Sequence, residues 1–191
     1  MLSKVYISFE LIPFFVLLLL TLPIRFLLGL FASILIHECF HLAALRVCDV
    51  KIYRIYFRIT GAEISTEPIS CGKELICAAA GPIGSFLTVF LIRFFPALSL
   101  CAIVHGMFNC MPLGTMDGGR VLYCGLRMIL SLERANIVFK WIQRLTIFFL
   151  LVVLTHICVI YPVLLKYVPL ALLVVLGKSP CKATRKRVQY L

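Results

Sequence analysis

Residues 31–45 read FASILIHECFHLAAL, and three ionisable side chains, His37, Glu38 and His41, stand inside an otherwise apolar run. The chain holds four histidines and eight acidic residues among its 191, so placing three of these where each is costly points to a functional role. On an α-helix, residues four apart share a face. His37 and His41 therefore converge on one point, and Glu38 sits about 100° round the helix beside them. This is the H-E-x-x-H pattern: two imidazoles that bind zinc, and a carboxylate too offset to be a ligand but placed to take a proton from water at the ion. Rival readings account for less. Hydrogen bonding between helices leaves Glu38 without a role. A di-iron carboxylate site needs a second Glu-x-x-His, and neither His105 nor His156 has a Glu three residues before it. Haem ligation fits the spacing but does not explain the carboxylate.

The surroundings of this run set the class. A chain that is 62% hydrophobic, with mean hydropathy +1.07, is no soluble domain of this length. The apolar runs predict an all-α polytopic membrane protein of about six transmembrane helices, at roughly 5–22, 26–46, 74–95, 98–112, 141–160 and 161–177. The first run ends in Leu22-Pro23-Ile24-Arg25 without a small-residue cleavage signature, and is expected to remain as an anchor. The net charge of +11 lies in short loops rather than on a basic face, so it reads as topology and not as a nucleic-acid surface. With both termini cytoplasmic, only Arg25, Arg93 and Lys166 of the 19 Lys and Arg fall outside. Residues 1–177 read as one intramembrane domain, and 178–191 as a basic cytoplasmic tail against anionic lipid. The nine cysteines form no C-x-x-C pair and fit neither a disulfide framework nor a zinc module. They read as small buried apolar residues, with Cys39 and Cys110 as oxidation-sensitive neighbours of the site.

Residues 50–67, VKIYRIYFRITGAEISTE, depart from the helical pattern: β-formers flank a Thr60-Gly61 turn signal. A short β-hairpin or re-entrant segment, able to accept an extended peptide along its edge, and an interfacial aromatic loop explain them equally well. A catalytic zinc also needs a third protein ligand, from among Glu63, Glu67, Glu74, Asp117 and Glu133. In the chosen orientation the second and fourth spans both run inward, which brings His37, His41 and Asp117 to the cytoplasmic face. Pro112 and glycines 114, 118 and 119 break the helix beside Asp117, as backbone lining a cavity does. Spacing leaves a plain helix N-cap as an even alternative for Asp117.

HECFH in an early span, AAAGPIG at 78–84, and Asn109-Cys-Met-Pro112-Leu-Gly-Thr-Met-Asp117-Gly-Gly later, in that order, resemble the site-2 protease family of zinc intramembrane metalloproteases. The RIYFRITGAEI loop is most similar to its sporulation branch, which processes a pro-sigma factor. The resemblance implies one zinc ion per chain held by His37, His41 and Asp117, Glu38 as catalytic base, and Asn109 as a substrate or oxyanion contact. It implies a metalloendopeptidase that hydrolyses a bond in or near the membrane segment of a membrane-associated protein. The bilayer and membrane regulatory or inhibitor proteins are its further partners. Cys39 and Phe40 depart from the family's small or aliphatic residues, as does Leu113-Gly114-Thr115-Met116 from its prolines. The sporulation branch carries a cystathionine-β-synthase-type domain that is not expected here. The alternative is a catalytically inactive membrane binding protein that keeps the metal. A transporter would show repeated halves with paired broken helices, and one such break is seen.

Overall fold

A helix buries whichever stripe carries side chains small or polar enough to be approached. In helix α1, Ile24–Val47, that stripe is Gly29, Ser33, His37, His41 and Leu45, one residue in every four. The structure is a computed structural model in which residues 4–7, 16, 18–58 and 61–160 are described. Strand β1 is Lys4–Ile7, and α1 is followed by β2, Ile52–Arg58, and β3, Gly61–Thr66. Then come α2, Cys71–Leu87, prolonged by a 3-10 turn at Thr88–Leu91, and α3, Pro96–Asn109. Helices α4, Asp117–Ile129, and α5, Leu132–Ile160, complete the described chain.

Helix α1 packs on α2 and α3, α2 also packs on α4, and α5 packs chiefly on α4. The seams are made of small residues: Ala78, Gly81, Gly84 and Ser85 of α2 and Ser99, Ala102 and Gly106 of α3 are buried. A Cβ at Gly29 would stand 2.9 Å from the Ala97 main chain, and one at Gly106 2.9 Å from Ser85 Cβ. Large side chains such as Leu28, Phe31, Phe90, Phe94 and Phe148 point outward. This inversion suits helices whose surroundings are as apolar as their interior, where close backbone approach rather than large-residue burial holds the bundle.

Among the described residues, three helices are long and apolar enough to cross a membrane: Ile24–Val47, Cys71–Leu91 and Leu132–Ile157. They answer to the expected spans 26–46, 74–95 and 141–160. The last starts earlier because Glu133, Arg134 and Lys140 interrupt its hydropathy without interrupting its helix. The expected span 98–112 is corrected: α3 has 14 residues, about 21 Å of helix against a hydrocarbon core of about 30 Å. Pro96 starts it and the loop after Asn109 ends it. The expected span 5–22 is corrected at its start, where Lys4–Ile7 is a strand paired parallel to Arg54–Phe57. Valine, tyrosine and isoleucine there suit a pleated surface as well as a helix. The expected span 161–177 and tail 178–191 lie outside the described residues.

An all-α fold is therefore corrected to helices with a three-stranded sheet, ordered β1-β2-β3. The hairpin expected at 50–67 is present: β2 and β3 pair antiparallel from Ile52↔Thr66 to Arg58↔Gly61. Its base is closed where Glu67 N donates to Lys51 O and Lys51 N donates to Glu67 Oε1, both at 3.1 Å. The sheet sits on the ends of α1 and α2 through Leu45, Val50 and Cys77, with Ile52, Ile64 and Ile69 against them. Asp49, at φ 52°, reverses the chain after α1, a left-handed conformation that aspartate tolerates.

Candidate metal centre

The buried stripe of α1 brings His37 and His41 toward α2 and α4, both rings almost closed to solvent. Asp117 arrives from the opposite side. The loop 110–116 tucks beneath the first turn of α4, and it can do so only over bare backbone. A Cβ at Gly118 would overlap the Cys110 carbonyl, and one at Gly119 the Leu113 carbonyl. Met116, not Asp117, occupies the N-cap position and makes no side-chain cap. The Asp117 carboxylate turns to the histidines instead.

The result is a nearly equilateral triangle. His37 Nε2 lies 3.0 Å and His41 Nε2 3.1 Å from Asp117 Oδ2, and the two nitrogens lie 3.1 Å apart. Each ring is fixed from behind: His41 Nδ1 donates to the Cys77 carbonyl at 2.7 Å, and His37 Nδ1 meets Ser85 Oγ at 2.9 Å. Ser85 is wholly buried, and its neighbour Thr88 donates to the Ser85 carbonyl at 2.7 Å. Arg120 stands 3.7 Å from Asp117 Oδ1 and 3.4 Å from Glu74 Oε1, linking α4 to α2.

This donor set fits a metal ion. A carbonyl can only accept, so His41 Nδ1 carries the hydrogen and the neutral ring turns the Nε2 lone pair inward. With Ser85 accepting from His37, three lone-pair atoms face one another at hydrogen-bond distance, which is repulsive unless positive charge lies among them. Zinc about 2.0–2.1 Å from each of three tetrahedral ligands would hold them about 3.3 Å apart, close to the observed triangle. Among the described residues, His37, His41 and Asp117 are the group of three metal-ligating side chains. Gly81 leaves the room: a Cβ there would run into the Nε2 atoms of both histidines. Without an ion, and with hydrogen on the facing ring nitrogens, burial alone would raise the Asp117 carboxyl, but donation from His37 and His41 and the Arg120 charge outweigh it. They hold the group well below the ordinary carboxylate range.

Glu38 follows His37 on α1, is half-buried, and lies close enough for its charge to act on His41. Asn109 ends α3 with Nδ2 donating to the His105 carbonyl at 3.1 Å, which leaves its second amide hydrogen for another acceptor. The His105 ring lies 4.6 Å from that of His37, centroid to centroid. The other acidic candidates go elsewhere: Glu74 to Arg120 and Glu67 to Lys51 N, while Glu133 opens α5. Glu63 stands opposite Tyr56 in the backbone register of the hairpin. His156 is exposed on α5. Phe40 covers Gly84, where a Cβ would meet its ring. Sequence reasoning missed Ser85, the Cys77 carbonyl, Gly81 and Arg120. The signal available was that each zinc-bound imidazole needs a partner at its other nitrogen.

No model of a known protein family matches the chain. Zinc metalloprotease MJ0392 of Methanocaldococcus jannaschii is 35% identical over 116 residues, 53% of this chain and 33% of its own length. The chain thus spans about a third of the curated relative it matches. The solved site-2 protease of the same organism superposes with a TM-score of 0.62 at 25% identity, covering 82% of each chain. These likenesses support the site-2 protease family. Apolar helices of spanning length, together with the site-2 protease likeness, make this a membrane protein. The fold is mostly helical with a small sheet, in keeping with that likeness, and its group of two histidines and an aspartate is compatible with zinc.

Proposed function

We propose that the chain is a zinc-dependent intramembrane endopeptidase of the site-2 protease type, with one zinc per chain held by His37, His41 and Asp117. The observation that carries this reading is the inward convergence of the two Nε2 atoms and Oδ2 within 3.0–3.1 Å, with Glu38 beside them. When bound there, zinc makes water acidic enough to ionise near neutral pH and polarises a carbonyl oxygen. Glu38 receives the proton of the attacking water and passes it to the leaving amine as the peptide bond breaks. The second amide hydrogen of Asn109 is offered to the substrate carbonyl oxygen as negative charge develops on it. Ser85 and the Cys77 carbonyl keep both rings in the tautomer that faces the ion.

A substrate helix hides its carbonyls in its own hydrogen bonds and must unwind before any of this can happen. The strands β2 and β3 rest on the ends of α1 and α2, next to the site, where they are suited to hold an extended segment. The substrate is a membrane-associated protein, and by the resemblance of residues 54–64 a pro-sigma factor of sporulation is the first to try. Both termini and the site are assigned to the cytoplasmic side on the distribution of Lys and Arg.

Zinc content and cleavage of a tagged, membrane-anchored pro-sigma-like substrate, measured on wild type and Glu38→Gln in liposomes, test the reading. About one zinc per chain in both, with cleavage lowered by about 100-fold or more in Glu38→Gln, is the expected result. Absence of zinc from the wild type would overturn the site.

A further inference from the structure

Helix α5 carries an amide that the described bundle leaves unused. The hydroxyls of Thr146 and Thr155 donate back to the carbonyls four residues before them, each at 2.8 Å, and the Arg144 guanidinium lies 5.5 Å from the centroid of the Trp141 ring. Gln143, on the same helix, is half-buried and makes no hydrogen bond among the described residues. Its place is nevertheless fixed. Tyr123 Oη donates to Asn136 Oδ1 at 3.0 Å, and the Tyr123 and Phe139 rings lie 5.3 Å apart, centroid to centroid, which sets the register of α5 against α4. One turn beyond Phe139, Gln143 meets the loop that delivers Asp117. A Cβ at Gly114 would stand 2.9 Å from Gln143 Nε2 and 3.4 Å from the Phe139 ring. Gly114 is exposed, and its own N–H and carbonyl make no backbone hydrogen bond among the described residues. Unpaired amides are costly in apolar surroundings. Bonding between helices, the ordinary use of a glutamine in a membrane helix, finds no partner for Gln143 among the described residues.

We propose that Gln143 is a substrate-binding residue whose amide pairs with the main chain of an unwound segment drawn across Gly114. The proposal rests on the endopeptidase reading and adds to it how the substrate backbone is held. A helix that unwinds frees an N–H and a C=O at each residue, and both then need partners. One primary amide supplies both: Nε2 donates to a freed carbonyl and Oε1 accepts from a freed N–H. Glycine at 114 keeps the space beneath that amide clear, since a side chain there would press on Nε2. Gly114 stands three positions before Asp117, at most about 11 Å along the chain. With about 3.3 Å per residue of extended substrate, the contact falls about three residues from the bond that is cut. Such a contact reads peptide backbone and not side chains, so it selects extended chain with little regard to sequence.

The test uses the full chain in liposomes with the tagged, membrane-anchored pro-sigma-like substrate. Gln143→Met keeps the length of the side chain and removes its amide. KM is expected to rise about 10-fold, with kcat, zinc content and helical circular dichroism unchanged, the pattern of binding lost equally from ground and transition states. A second readout needs no turnover. Gln143→p-benzoylphenylalanine in the Glu38→Gln chain, irradiated with the substrate, is expected to give an adduct beside the scissile bond, and the same replacement at Leu145, exposed on α5, to give none. Cleavage with an unaltered KM in Gln143→Met, and no adduct from position 143, would overturn the contact while leaving the endopeptidase reading intact. An adduct at position 143 without cleavage by the wild type would sink that reading and leave the contact standing. Lowered zinc content or helicity in Gln143→Met would make the residue a packing element and refute the proposal.

Discussion

At the scale of single residues, the proposed metal centre depends as much on what stands behind its candidate ligands as on those ligands themselves. Ser85 Oγ is the contact at His37 Nδ1 and has no route to solvent. In Ser85→Ala the ring loses its partner and the nitrogen is left buried. Replacement by alanine leaves a void too small and too apolar to recruit water. Zinc affinity, measured by competition with a chromophoric chelator, should fall about 10–100-fold, with the helical circular dichroism retained. Unchanged affinity would mean that Ser85 only packs. The same residue shows why half of the site was hidden from the sequence. H-E-x-x-H is legible because its members share one helical face within five residues. Ser85 lies 48 positions from His37, and a serine in a run of small residues carries no mark that separates a hydrogen-bond acceptor for a ligand ring from a packing residue.

At the scale of elements, the loop and helix that deliver Asp117 rest on glycines. In Gly119→Ala the added methyl would overlap the Leu113 carbonyl, so either the loop or the first turn of α4 must move. The expected cost is about 1–3 kcal/mol of stability, accompanied by weakened zinc binding as Asp117 leaves the triangle. Gly125, on the same helix, has open space around it. Gly125→Ala should therefore bind zinc normally and gain about 0.5–1 kcal/mol from helix propensity. Thermal melts and chelator titrations of the two variants together separate a local clash from a general intolerance of α4 to substitution. Equal behaviour would refute the glycine argument. Hydropathy exposed α1 and α2, while β-formers around Thr60-Gly61 raised the hairpin only beside an equal reading as an interfacial loop. It failed at β1, where four residues at the head of an apolar run do not distinguish strand from helix. It also failed at α3, where hydropathy continued past a helix that backbone geometry ends at Asn109.

At the scale of the whole molecule, the proposed ligands lie on two helices that otherwise scarcely meet. Helices α1 and α4 each pack on α2, and contact between them is slight apart from the site. A bound ion is thus a cross-link between the two flanks of α2, and its binding energy adds to the stability of the bundle. Free zinc at about a thousand times its dissociation constant stabilises by about 4 kcal/mol, which for a domain of this size corresponds to a rise in Tm of roughly 8–16 °C. Chelation should remove that increment in wild type and leave Asp117→Asn nearly unmoved. The increment is also pH-dependent, and its sign follows from the ligands. Because Asp117 is held below the ordinary carboxylate range, its own stabilising contribution is present above its unfolded value of 3.8 and is lost only as pH falls below that. Between pH 7 and 5 it stays ionised, so zinc released over this interval is displaced by protons taken up on the imidazoles. The zinc-dependent part of Tm should accordingly shrink as pH falls from 7 to 5, while the Tm of the chelated protein changes less. A zinc-dependent increment that stayed constant across this interval would require ligands other than His37 and His41.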